Sequence, residues 1–238
     1  MTALAETKTA TVGRKAKTTS FQDDIPVNEW EQRPVRLHPV IRAEFDDIFA
    51  TINLLKRHYI REEGIEEANS IYSENDFHNP IALFLRSEIF DEYGNCKSLK
   101  DIEKSDVLSF MLKLATAPIP VTEKKRGAPP VVIIDRNGQS LPNAGLKRKN
   151  TRYHPNILAM FDRIVSEFDS LRKAYATAHN LNIESSRAYS QTNYFNGIIQ
   201  YIYPLFINED KTEKTLSEIK AEDNKLAIYL LETAVLGF

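Results

Sequence analysis

The sequence predicts an all-α protein built from two tandem copies of a roughly four-helix module, and three observations lead there. First, "RLHPVIRAEFDDI" from Arg36 and "RYHPNILAMFDRI" from Arg152 nearly coincide, 116 positions apart. Second, the likeness runs on collinearly. Leu55 and Tyr59 match Leu171 and Tyr175; after one-residue slips "NDFHNPIALFLRSEIF" lies over "TNYFNGIIQYIYPLFI", and "DVLSFMLKLATA" over "NKLAIYLLETAV". Chance likeness of one helix is common, whereas collinear likeness over most of two segments is not. Third, apolar residues in both copies recur at helical spacing, and no strand-like alternation of useful length appears. The expected organisation is an N-terminal arm (1–35), a first copy (36–119), a basic linker (120–151) and a second copy (152–238).

Each copy opens on the same helix. Ile41, Phe45, Ile48, Ile52, Leu55 and Tyr59 form one apolar stripe, and Ile157, Phe161, Ile164, Phe168, Leu171 and Tyr175 repeat its steps. A His-Pro pair starts each helix, because proline at the first helical position loses no hydrogen bond. That puts His38 and His154 at the N-cap; a shared metal or acid–base site is the other use of two matched histidines, but no further ligand follows at metal spacing. A weak second helix is read in "GIEEANSIYSE" and "LNIESSRAYSQ". The third is strong: "IALFLRSEIF" and "IIQYIYPLFI" are apolar on nearly every face, as a central buried helix is, with Asn79 and Asn196 as expected N-caps. Pro204 should kink or end that helix in the second copy. Ser98 and Thr215 then cap a short turn, and a last helix closes each copy. Each unit is expected to bury its own stripes, leaving faces by which the copies pair about a pseudo-twofold axis.

The arm carries Arg14, Lys15 and Lys17 in a basic stretch, then Phe21, Ile25, Val27 and Trp30 among acids and prolines. That reads as a flexible basic arm followed by an extended segment whose apolar residues dock in a groove. Phe21 and Trp30 are its candidate contacts, on this chain's own domain or on a neighbouring subunit. The linker is read as mostly irregular, with one short hairpin in "VVIIDRNGQS" turning at Asn137-Gly138. Lys124, Lys125, Arg126, Lys147, Arg148 and Lys149 are its candidate nucleic-acid contacts, since mobile cations close together suit a phosphate backbone; a solvated linker is the other reading.

With 31 basic and 33 acidic residues, the chain has no global field to draw in nucleic acid or anionic lipid, so such a partner must be held locally. The single cysteine, Cys96, makes no internal disulfide. No apolar run approaches a bilayer span and the first twenty residues lack a signal-like apolar core, so a cytoplasmic location and no membrane are expected. There is no GxxxxGK[ST], GxGxxG, HExxH, CxxC or GxSxG. Asp46 and Asp162 match between copies, but a carboxylate beside a stripe phenylalanine more often pairs with a base, for which Arg36 and Arg152 are local candidates. No catalytic residue, cofactor or metal is therefore assigned. The function expected is a non-enzymatic helical assembly protein acting through self-association and protein contacts, with nucleic acid as a partner of the basic segments. The alternative is a soluble adaptor or regulator that holds a partner protein's helix in a groove between the copies.

Overall fold

The computed structural model describes residues 25, 27–65, 72–118, 132–141, 145–183 and 189–237. Over these the chain is mostly helical, with eight α-helices and two small two-stranded sheets. A short 3-10 turn, Val27–Glu29, leads into β1 (Glu31–Leu37), and the first half continues as α1 (Pro39–Glu63), α2 (Glu74–Ile89), α3 (Leu99–Ile102) and α4 (Asp106–Thr116). A hairpin of β2 (Ile133–Ile134) and β3 (Ser140–Leu141) precedes β4 (Lys147–Tyr153). The second half is α5 (Pro155–Ala178), α6 (Gln191–Phe206), α7 (Leu216–Glu222) and α8 (Lys225–Leu236).

The long helices form as their stripes dictate. Ile41, Phe45, Ile48 and Ile52 on α1, and Ile157, Phe161, Ile164 and Phe168 on α5, are all at most 1% exposed. His38 and His154 cap these helices, each Nδ1 accepting from the backbone N–H two residues on at 3.3 Å. A neutral ring in that role carries its proton on Nε2. Gly64, at φ 64°, ends α1 in the left-handed region where a Cβ would be strained. Ser98 and Thr215 cap α3 and α7 as expected. Pro204 lies two residues before the end of α6. The weak helices read at 64–74 and 181–191 fall largely outside the described residues; residues 64, 65, 72 and 73, and 181–183, are not helical.

Three expectations are corrected. The structure is not purely helical: β1 and β4 pair antiparallel over seven residues each, from Glu31 with Tyr153 to Leu37 with Lys147. The linker is thus less irregular than its composition suggests, and the arm's end is strand. The stripes are not buried within one half alone either. α1 packs on α6 and α8, α5 packs on α2 and α4, and α2 and α6 reach across to α8 and α4. These long-helix contacts join the first half to the second, while within each half the stripe rings also meet the central helix, Phe45 on Phe77 and His78 and Phe161 on Tyr194 and Phe195. Lastly, Asn79 and Asn196 are not N-caps. Ser73 and Ser190 are, Ser73 in a capping box with Asp76. The two asparagines lie inside α2 and α6, at 0% and 1% exposure.

There each asparagine holds the other half's strand. Asn196 Oδ1 accepts from His38 N–H at 2.9 Å while its Nδ2 donates to the Arg36 carbonyl at 2.9 Å. Asn79 Oδ1 accepts from His154 N–H at 3.1 Å and its Nδ2 donates to the Arg152 carbonyl at 3.0 Å. One amide thereby satisfies both backbone groups at the point where each strand turns into its helix. An apolar helix could not do this, and leaving those groups buried and unmet would cost about 1–3 kcal/mol apiece.

Packed between these clasps is a ring-rich centre. His78 stacks on Phe45 at 5.6 Å and meets Phe77 and Phe195 edge-on. Burial pushes its pKa down to about 4, so it serves the core as a neutral ring at ordinary pH. We expect Asn79→Ala or Asn196→Ala to destabilise the protein by about 2–4 kcal/mol in urea denaturation. A loss under about 0.5 kcal/mol would contradict the clasp.

Candidate nucleic-acid interface

The β1–β4 ribbon lies across the ends of α2 and α6, and the alternation of strand side chains sorts its residues into two faces. Val35, Leu37, Thr151 and Tyr153 turn inward and are 3% exposed or less. The opposite face carries Gln32, Pro34 and Arg36 from β1 with Arg148, Asn150 and Arg152 from β4. In register, Arg36 stands directly opposite Arg148, Pro34 opposite Asn150 and Gln32 opposite Arg152. Three guanidinium groups, those of Arg36 and Arg148 exposed and that of Arg152 half-buried, therefore belong to one face that holds no acid among its six ribbon residues. Arg36 and Arg148 are exposed and have no ion-pair partner among the described residues. Asn150 Nδ2 donates to Gln32 Oε1 at 3.4 Å, linking the two amides diagonally across the strands.

Like charges directly opposite on a ribbon repel, so this arrangement weakens the sheet unless an anion lies between them. Two other basic residues of the ribbon, Lys149 and Arg33, are engaged. Lys149 pairs with Glu74, which also holds Arg42 at 3.0 Å, and these two cations keep the half-buried carboxyl below its usual range despite burial. Arg33 reaches Asp162 at 3.2 Å. Together they tie the ribbon's inward edge to α2 and α5 and leave the outward face to its arginines.

The basic residues expected to touch nucleic acid are thus divided. Lys147, Arg148 and Lys149 are exposed on β4, with Arg148 on the outward face and Lys149 committed to Glu74. Arg14, Lys15, Lys17, Lys124, Lys125 and Arg126 lie outside the described residues, as does Phe21. Trp30 is 4% exposed: its indole N–H donates to the Ile25 carbonyl at 3.0 Å and its ring meets His154 edge-on at 5.7 Å. Its own chain takes it up, so the indole is not available at the surface to clasp a neighbour. Arg36 and Arg152 are expected from the sequence to pair with Asp46 and Asp162. Instead Arg42 holds Asp46 at 2.7 Å and Arg33 holds Asp162, and Arg36 stands exposed on the strand. Gln32 and Asn150 went unread; their signal was the alternation "VRL" and "TRY" before each His-Pro.

Elsewhere a cleft of about 440 Å³ opens between α1 and the end of α6, lined by Val40, Glu44, Asp47, Arg136, Tyr203 and Lys211 among others. Arg136, in the hairpin turn, bonds Glu44 at 2.6 Å and lies 5.0 Å over the Tyr203 ring. Burial pushes the Glu44 carboxyl up even with Arg136 beside it. The matched Asp46, Asp162, His38 and His154 do not line this cleft. Cys96 is exposed, and partial burial with Glu167 nearby pushes its thiol up, the wrong direction for an activated nucleophile. Among the described residues no three His, Cys, Asp or Glu side chains group as a metal would need, and no helix is long and apolar enough to cross a membrane. Comparison with protein families, with curated proteins and with solved structures finds no match to this chain.

The repulsion across the ribbon is testable without any ligand. Arg36→Glu places an acid opposite Arg148 and should raise stability by a few tenths of a kcal/mol in low salt, roughly the size of a cross-strand charge pair. The gain should fade at high salt. A loss of stability in low salt would show that Arg36 is held by something other than its register.

Proposed function

We propose that the protein is a non-enzymatic helical assembly protein that associates with nucleic acid through the outward face of the β1–β4 ribbon, and that its chain is a fused pair of one helical module. The observation that carries the nucleic-acid part is Arg36 facing Arg148, with Arg152 beyond and no acid on that face. A polyanion that threads between these groups turns their mutual repulsion into attraction and releases its own counterions. The basic stretches at Arg14, Lys15 and Lys17 and at Lys124, Lys125 and Arg126 would add contacts of the same sequence-independent kind.

The fused-pair part is supported by the matching of parts. The two strands, their His-Pro caps and their asparagine clasps recur in the same order. Pro34 pairs with Asn150, the position 116 residues on, so the ribbon's register centres on two matched residues. The adaptor reading has less support, because the faces on which the halves meet are already closed by α1 on α6 and α2 on α5. Self-association stays in the proposal as an expectation of the sequence. With Trp30 buried in its own chain, it rests on other surfaces.

Binding to mixed-sequence nucleic acid, followed by fluorescence anisotropy across 50–200 mM salt, tests this with a logarithmic slope of about −0.9 per phosphate neutralised on a duplex. Replacing Arg36, Arg148 and Arg152 together with alanine should flatten the slope by about three and weaken binding at every sequence alike. No salt-dependent binding by the unaltered chain would contradict the proposal.

A further inference from the structure

We infer that the ribbon reads double-stranded B-form DNA by lying in its major groove, and that its site is non-palindromic and recognised in one orientation. This rests on the nucleic-acid reading above and goes beyond it to the form of the ligand and the way it is read. Two antiparallel strands about 4.8 Å apart, with side chains, make a ribbon that a B-form major groove about 12 Å wide admits. The deep, narrow major groove of A-form RNA does not admit side chains in this way. From Gln32 to Arg36 the outward side chains span about 14 Å at roughly 3.4 Å per residue, close to four base-pair steps.

Five of the six outward residues, all but Pro34, are suited to base edges as well as to phosphate. Arginine bonds guanine through O6 and N7, and asparagine or glutamine bonds adenine through N6 and N7. The face has Arg36 opposite Arg148 at one end, Pro34 opposite Asn150 in the middle, and Gln32 opposite Arg152 at the other end, with the Asn150 and Gln32 amides joined diagonally. The expected site therefore has G·C pairs under the Arg36–Arg148 end and a mixed element with A·T pairs from the middle to the Gln32–Arg152 end. A cluster serving only phosphate needs cations, and the Asn150–Gln32 amide pair adds nothing to that.

Orientation follows from the residues that the 116-residue offset matches. Arg36 and Arg152 are alike, but Gln32 matches Arg148 and Pro34 matches Asn150. Around the centre of the register one strand offers proline where the other offers an amide, which has donors and an acceptor. A twofold-symmetric DNA element would leave half of these side chains facing the wrong base edges. One end of the ribbon holds two arginines and the other holds one, so the two directions along the duplex are not equivalent.

The test is selection from a duplex pool with a randomised 12-base-pair centre, followed by affinity measurement on the enriched duplex, on mixed-sequence duplex DNA, on double-stranded RNA and on single-stranded DNA at one salt concentration. The inference expects an asymmetric enriched element bound about 10- to 100-fold more tightly than mixed duplex DNA, and weaker binding to double-stranded RNA. The double variant Gln32→Ala/Asn150→Ala, checked for an unchanged thermal melt, should lose that preference to within about threefold. Equal affinity for DNA and RNA duplexes, tighter binding to single strands, or a palindromic enriched element would each overturn the inference while leaving the nucleic-acid reading intact. Absence of salt-sensitive binding to all four probes would overturn both.

Discussion

The arrangement depends on two buried amides. Asn79 and Asn196 sit in the middle of apolar helices, a place where an amide is costly unless every polar atom is met. Each meets its need by bonding the N–H and carbonyl at the strand-to-helix junction of the opposite half, and each also donates to the carbonyl one turn back on its own helix, Asn75 at 2.8 Å and Thr192 at 2.6 Å. The amide thus fixes where the partner strand ends and its helix begins. With both junctions fixed in this way the strands lie side by side, the ribbon's register is set, and α1 and α5 are aimed across the molecule onto α6 and α2.

Exchange of helices between the halves explains why so apolar a pair of central helices leaves little unburied. α2 and α6 are too apolar all round to sit on a surface, and each is covered by the long helix of the other half, by its last helix and by a strand. The hairpin adds a lid on α6, where Gln200 Nε2 donates to the Ile134 carbonyl at 2.9 Å and Asn193 Nδ2 to the Val132 carbonyl at 2.6 Å. The outward ribbon face sets Arg36 and Arg148 directly opposite each other on this packed support. Rigid support beneath, with Arg36 and Arg148 above and unpaired among the described residues, is what a contact surface for a polyanion requires.

Much of the helical framework was legible in the sequence, because a stripe stepping by three and four residues has one low-energy use. Its partners were not: Ile41 and Phe45 carry no mark of whether they bury against α2 or against α6. The ribbon was hidden by composition. "EQRPVRL" holds a proline and "KRKNTRY" is almost wholly polar, and only Val35, Leu37, Thr151 and Tyr153 betray a period of two. Proline is tolerated there because a two-stranded ribbon has only edge strands. The asparagines misled because Asn-Pro and Asn-Gly resemble a helix start. The signal that was available lay earlier, in Ser73 with Asp76 three residues on and Ser190 with Asn193. For the candidate interface, Arg148 was named from the charge run alone, while Arg36, Arg152, Gln32 and Asn150 needed the register to be seen as one face.

Separating the halves tests the central claim most directly. If each half is completed by the other, residues 1–144 and 145–238 expressed apart should show no cooperative thermal unfolding as monomers, by circular dichroism with light scattering. Mixed in equal amounts they should recover the helicity and melt of the intact chain as a one-to-one complex. Either half folding cooperatively as a monomer would contradict the exchange of helices on which the ribbon and its clasps rest.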